Sequence, residues 1–287
     1  AVDLPDLGWL PWRQAVAIAV MLAIGWLVLE VARRHSATEP PWLASTAMVT
    51  RELALILALY AAWQIVGSFA PEGLEQADAA GLWLADLEQS LGWPSEAGIQ
   101  QAVIANETVI RLADAYYSSL HIPVFVVVLV WVLFMRRESW AFTRTTVALT
   151  MAMCLLIQLK PVAPPRLLPS LGIVDTALVN GRSVYALVPG ANEYAAMPSV
   201  HIAWASIVAM VLILVLRSPW RWLALAYPAA TLWVVIVTGN HFIIDGVVAV
   251  IILAVAAGIT LLIPSQRPPV KQRAATQTRP PDFVQSS

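Results

Sequence analysis

Charged positions along most of this sequence are separated by long apolar runs, and the runs approach the length of a bilayer crossing, about 20 largely apolar residues. Seven spans are predicted, at 14–29, 53–71, 115–135, 145–159, 194–216, 222–244 and 246–266. The fourth is short, but Arg144 and Lys160 at its ends have stems long enough to reach the headgroups. Between the second and third spans, 72–114 carries Leu82, Leu84, Leu87 and Leu91 at roughly helical spacing among Glu75, Asp86 and Glu88. That pattern predicts one or two helices lying on the membrane surface with their acids turned to solvent. From Pro264 onward Pro, Gln, Arg, Thr and Ser dominate, which predicts a disordered tail.

The expected organisation is therefore an extra N-terminal transmembrane helix with its loop (1–52), a transmembrane catalytic domain (53–263, including the surface helices) and the tail (264–287). The first apolar run leads into Glu30, Arg33 and Arg34 with no small-residue cleavage site, so it reads as a retained span.

Composition agrees with the pattern: 59% of residues are hydrophobic and 12% charged, against about 25% charged in an ordinary soluble domain. A net charge of -1 provides no cationic footprint for nucleic acid. The single cysteine, Cys154, lies in an apolar run and reads as a small buried hydrophobe, so neither a disulfide framework nor a cysteine metal site is expected.

Charge placement orients the spans. Arg33, Arg34, Arg51, Arg136, Arg137, Arg144, Arg217, Arg221, Arg267, Lys271, Arg273 and Arg279 fall on one side, while most acidic residues fall on the other. Positive residues favour the cytoplasm, so the N-terminus is expected outside and the C-terminus inside. Trp9, Trp12, Trp42, Trp93, Trp140, Trp220 and Trp222 lie near span ends, where an amphipathic ring suits the interface. Abundant Ala, Val and Leu with far more Arg than Lys point to a bacterial source, hence a multi-pass protein of a bacterial plasma membrane.

Ionisable residues at membrane depth are costly and mark candidate sites. Three groups stand out: Lys160-Pro161-Val162-Ala163-Pro164-Pro165-Arg166, Met197-Pro198-Ser199-Val200-His201, and Thr238-Gly239-Asn240-His241 with Asp245. Taken singly, a histidine or arginine at a helix end is more often a cap or a snorkelling residue. Here the topology brings all three groups to the outer face. Pro198 suits the first turn of a helix, with backbone N–H groups and the dipole's positive end directed at an anion. Ser199 adds a hydroxyl, and Arg166 offers a planar fork for phosphate oxygens. His241 and Asp245 are one helical turn apart, so the carboxylate can hold one ring nitrogen and leave the other as nucleophile. His201 remains as acid and base.

These residues resemble the three-part signature of the type 2 phosphatidic acid phosphatase (PAP2) superfamily, over about 116–262. Among its branches they look most like the bacterial inositolphosphotransferase-like one, related to fungal inositol phosphorylceramide synthase. The resemblance implies an all-α membrane bundle of six core helices, with the first span extra, and a site at one membrane face that needs neither metal nor cofactor. It also implies that His241 forms a phosphohistidine, that His201 protonates the departing oxygen, that Asp245 holds His241, and that Arg166, Ser199 and Asn240 bind phosphate.

The sequence departs from the phosphatase pattern at four places. Five residues, not six, separate Lys160 from Arg166, and Leu167 replaces a proline. Val200 replaces a glycine, and Val234-Val235 stand where phosphatases have Ser-Arg. Arg182 is the candidate to restore the missing charge. Lys160 and His121 are candidate headgroup contacts; Tyr116 and Tyr117 ahead of His121 and Pro123 also resemble the transferase-like branch, although packing is the plainer reading of this histidine.

Three functions are weighed. The first is transfer of a phosphate or phospho-headgroup from a lipid to an alcohol or polyol acceptor. The second is hydrolysis of a lipid or polyprenyl (pyro)phosphate by the same covalent step. The third is a non-catalytic transporter or lipid scaffold, against which the His241–Asp245 pair opposite Ser199 and His201 argues.

Overall fold

The computed structural model describes residues 10–36, 38, 40–68, 74–181, 183 and 192–266. Its α-helices are α1 (Trp12–His35), α2 (Pro41–Ser68), α3 (Leu74–Ser90), α4 (Glu96–Ile104), α5 (Glu107–Ser119), α6 (His121–Met135), α7 (Arg137–Gln158), α8 (Thr176–Val179), α9 (Val200–Val215), α10 (Ala226–Val237) and α11 (Ile243–Leu262). The chain is an all-α polytopic membrane bundle. Among the described residues, four helices alone, and α10 together with the 3₁₀ turn Pro219–Leu225 before it, are long and apolar enough to cross a bilayer. The bent pair α5–α6 adds a sixth span, and α9, at 16 residues, is shorter. Apolar side chains such as Met21, Ile24, Leu27 and Val28 on α1 face outward, as lipid contact requires.

Each predicted span holds a helix, and the bounds move where backbone chemistry intervenes. The fourth needs no stretching, because α7 starts at Arg137 and runs for 22 residues. The third is not continuous: α5 and α6 meet at Leu120 with a bend of 47°. Pro123 has no N–H to return to the Ser119 carbonyl, so the helical ladder is interrupted there.

The fifth span is helical only from Val200, because Ser199 caps it: its Oγ accepts from Ile202 N–H at 3.3 Å. Pro198 therefore lies ahead of the cap, not in the first helical turn as its sequence position suggested. The sixth ends at Val237 instead of running to 244. Gly239 follows in the left-handed region, φ 73°, and turns the chain toward α11.

Helix α9 lies among α6, α7, α10 and α11. Small residues Ala203, Ala205, Ala249 and Ala256 are fully buried, which allows close helix approach. Cys154 is buried in the same cluster as Tyr117, Ile202, Val234 and Val235. Helix α1 packs on α2 at the periphery, as the extra helix beside the core.

The surface segment holds α3, α4 and the start of α5. Glu75 and Asp86 are exposed, as expected, but Glu88, Glu96 and Asp114 are buried. The expectation of solvated acids fails for these three because each carboxyl accepts hydrogen bonds from another part of the fold. Asp114 takes Thr176 Oγ1–H at 2.7 Å and Asn180 Nδ2–H at 2.6 Å, fastening α8 to α5. Gln100 on α4 donates to the carbonyls of Val174 and Val237, both at 2.9 Å, and accepts from Val174 N–H at 2.8 Å. The tail beyond Gln266 lies outside the described residues, as does Arg182.

Candidate active site

The segment after α7 is pinned on three sides. Val162 N–H donates to the Tyr194 carbonyl at 2.7 Å, and Ala196 N–H returns a bond to the Val162 carbonyl at 3.3 Å. Ala163 N–H reaches the Ala77 carbonyl of α3 at 3.0 Å. Arg166 N–H donates to the Gly239 carbonyl at 2.9 Å, joining the first group of polar residues to the third. That approach leaves no room for a side chain: a Cβ on Gly239 would stand 3.0 Å from Arg166 Cβ and 2.8 Å from Ile173 Cγ2.

Arg166 is buried. Its Nε donates to Asn240 Oδ1 at 3.1 Å, while Asn240 Nδ2 holds Thr238 Oγ1 at 2.9 Å. The Arg166 Nη1 meets Asp175 Oδ2 and Glu193 Oε2, each at 3.1 Å. The two carboxylates occupy the kind of position that phosphate oxygens take on a guanidinium fork. Asn240 thus orients Arg166.

His241 precedes α11; the helix starts at Ile243 with Phe242 as its cap. Its pairing with Asp245 is therefore made across the cap, not along one helical face. His241 Nδ1 lies 2.8 Å from the Ala196 carbonyl and 3.3 Å from Asp245 Oδ2. Both partners only accept, so the proton is assigned to Nδ1 and the lone pair to Nε2. Asp245 Oδ2 also takes Phe242 N–H at 2.9 Å, and the Asp245 carbonyl takes Ser199 N–H at 3.2 Å. Ser199 is thereby tied to the chain that carries His241.

The His201 ring centroid lies 5.7 Å from that of His241 and 4.9 Å from that of His121. Tyr117 and Trp204 close around it at 4.5 and 6.0 Å. Among the described residues, His201 Nδ1 and His121 Nε2 are buried without a hydrogen-bond partner. His121 Nδ1 stands 3.5 Å from Tyr227 Oη, at the outer limit of a hydrogen bond.

His241, Asp245, His201, Ser199, Asn240 and Arg166 thus come together, and His121 joins them behind His201. Lys160 does not: its side chain is exposed and bonds to none of them. Val234 and Val235 are buried in the core, so the helix that would carry the phosphatase arginine packs there instead. The Ala196 carbonyl and the carboxyls of Glu88 and Glu96 were missed by sequence reasoning. Ile243 N–H donates to Glu96 Oε1 at 3.2 Å and Ile244 N–H to Glu88 Oε1 at 2.6 Å.

The family model described as the PAP2 superfamily matches residues 82–259, from within α3 to within α11. The chain belongs to the PAP2 superfamily. The match takes in all three groups of polar residues and leaves α1 and α2 outside it. Comparison with curated proteins and with solved structures returns no match. As a multi-pass PAP2 protein, the chain falls among membrane phosphatases and phosphotransferases.

Proposed function

We propose that this chain is an integral membrane phosphotransferase acting on a lipid-linked phosphate or a phospholipid headgroup, through a phosphohistidine on His241. The observation that carries the reading is the His241 ring, with Nδ1 held by the Ala196 carbonyl and Asp245 and Nε2 left with its lone pair. In this mechanism Arg166 exchanges the carboxylates of Asp175 and Glu193 for phosphate oxygens, assisted by the Ser199 hydroxyl. Nε2 of His241 then attacks phosphorus as the bond to the leaving oxygen breaks. His201 gives that oxygen a proton, and afterwards takes one from the incoming hydroxyl as it attacks the phosphohistidine. Asp245 stabilises the positive charge that His241 acquires.

The incoming hydroxyl decides between transfer and hydrolysis. Tyr117 and Trp204 around His201, with His121 behind it, give the acid–base group an aromatic surrounding that favours an alcohol over bulk water. Val200, Val234 and Val235 in place of the phosphatase residues favour the transferase-like branch as well. The basic residues grouped on the opposite side of the spans support a plasma-membrane protein with its site facing away from the cytoplasm.

The test is incubation of the purified protein with labelled lipid phosphates, with and without polyols. A new labelled product that depends on the alcohol supports transfer. Free phosphate alone assigns hydrolysis, and lipid binding without turnover defeats the catalytic reading.

A further inference from the structure

We propose that Glu88 and Glu96 form a carboxyl pair sharing one proton, and that this pair acts as a positioning device holding the first turn of α11 and with it the His241–Asp245 pair. Its effect on turnover rests on the phosphoryl transfer proposed above; the pairing itself does not.

The first N–H groups of a helix have no partner within it. At the start of α11 three in succession are taken by three different carboxyls: Phe242 by Asp245, Ile243 by Glu96 and Ile244 by Glu88. Two of those carboxyls come from α3 and α4, 156 and 147 positions earlier in the chain. Both are buried, at 3% and 6% exposure. These bonds end two and three residues past His241, so a shift of the α3–α4 pair moves the chain that sets His241 against the Ala196 carbonyl. Earlier on α3, Gly81 fixes the same register: a Cβ there would meet the Ala163 carbonyl at 2.7 Å.

Two buried carboxyls side by side, with Asp245 next to them, cannot all be ionised without a large cost. Glu88 Oε2 is buried and receives no donor among the described residues, as fits an oxygen that itself carries the proton, and the Glu96 carboxyl is there to accept it. Burial first, and then that contact with Glu96, push the Glu88 carboxyl up to about 9, against the opposing pull of Ile244 N–H. The titratable groups facing it are Glu96 on α4 and Asp245 on α11, with His241 beyond Asp245. The segment after α7, which packs on α3, carries Arg166, but that side chain is held by Asn240, Asp175 and Glu193.

The sign follows from the raised value. The fold favours protonated Glu88, so its contribution is complete below about 4.5 and is lost as pH rises through about 9. Ionisation there sets a second full charge beside Asp245 and loosens the start of α11.

The test uses the full chain in detergent or nanodiscs, followed by thermal unfolding and by turnover of a labelled lipid phosphate from about pH 6 to about pH 10. The variants are Glu88→Gln, which keeps the acceptor for Ile244 N–H and gives Glu96 a permanent donor, and Glu88→Ala, which removes both. Wild type is expected to lose melting temperature and at least about fivefold in rate across the alkaline limb. Glu88→Gln should flatten both falls while staying within about threefold of wild type at neutral pH, and Glu88→Ala should lose about tenfold or more throughout. An alkaline fall in Glu88→Gln equal to that of wild type overturns the proposal, as does a Glu88→Ala protein as stable and active as wild type. Melting profiles that differ as expected without turnover in wild type support the pair and defeat the phosphotransfer reading. Turnover whose profile ignores Glu88→Gln does the reverse.

Discussion

The Ala196 carbonyl lies closer to His241 Nδ1 than the Asp245 carboxylate does, at 2.8 against 3.3 Å. The two acceptors divide the work. A neutral carbonyl is sufficient to fix the tautomer, while the carboxylate supplies the charge that stabilises a cationic ring.

Asp245→Asn should therefore lose less than complete removal. Asn Oδ1 can still accept from Phe242 N–H, and Ala196 still holds the tautomer, so the variant loses mainly charge stabilisation, about 10²-fold in kcat. Asp245→Ala also strands the Phe242 N–H and should fall by a further factor of about ten, with a lower melting temperature. Steady-state kinetics and melting curves on the same preparations check the difference. Equal losses in kcat for both variants would show that Asp245 acts only through its charge.

Arg166 and Asn240 should separate as binder and orienter. Arg166→Ala is expected to lower kcat/KM by about 10²-fold or more. Asn240→Ala removes the partner of Nε and leaves the guanidinium held on its carboxylate side, so KM should rise by about three- to tenfold with little change in kcat. A larger loss from Asn240→Ala than from Arg166→Ala would mean that the amide itself touches substrate.

His121 presents a trade of stability for activity. Its Nε2 is buried without a partner among the described residues, a cost of about 1–3 kcal/mol that Phe would relieve at similar shape. His121→Phe should melt higher than wild type and turn over about tenfold more slowly, because His201 loses its polar neighbour. A variant that melts higher at undiminished rate would return His121 to a packing role.

Gly239 is required on two counts: its positive φ, and the lack of room for a Cβ, which would stand 2.8 Å from Ile173 Cγ2 and 3.0 Å from Arg166 Cβ. Gly239→Ala should cost about 1–3 kcal/mol and displace Arg166, lowering both the melting temperature and the affinity for substrate. Thermal unfolding paired with KM measures both effects.

The spans were legible because a bilayer imposes a length and a polarity that need no partner to recognise, so each predicted segment holds a helix. The ends of those segments were less so. Ser199 as a cap, the break ahead of Pro123 and the stop at Gly239 each reflect one residue's backbone chemistry, which hydropathy passes over. The residues around His241 were legible as a group because three polar clusters interrupt apolar runs on one expected face. Ala196 was not, since a carbonyl contribution leaves no trace in residue type. Glu88 and Glu96 looked like any acids on a surface helix; only the fold shows that the start of α11 lies over them. Lys160, read as a headgroup contact, is an exposed charge that stands apart from the cluster around His241.

Phosphoryl transfer through His241 is tested most directly by chemical trapping of the intermediate. The protein is mixed with a lipid phosphate labelled at phosphorus, quenched in base and mapped by peptide. An acid-labile, base-stable label is expected on the peptide carrying His241, formed and discharged at rates compatible with turnover, and absent from His241→Gln. Turnover in His241→Gln, or a label on any other residue, would contradict it.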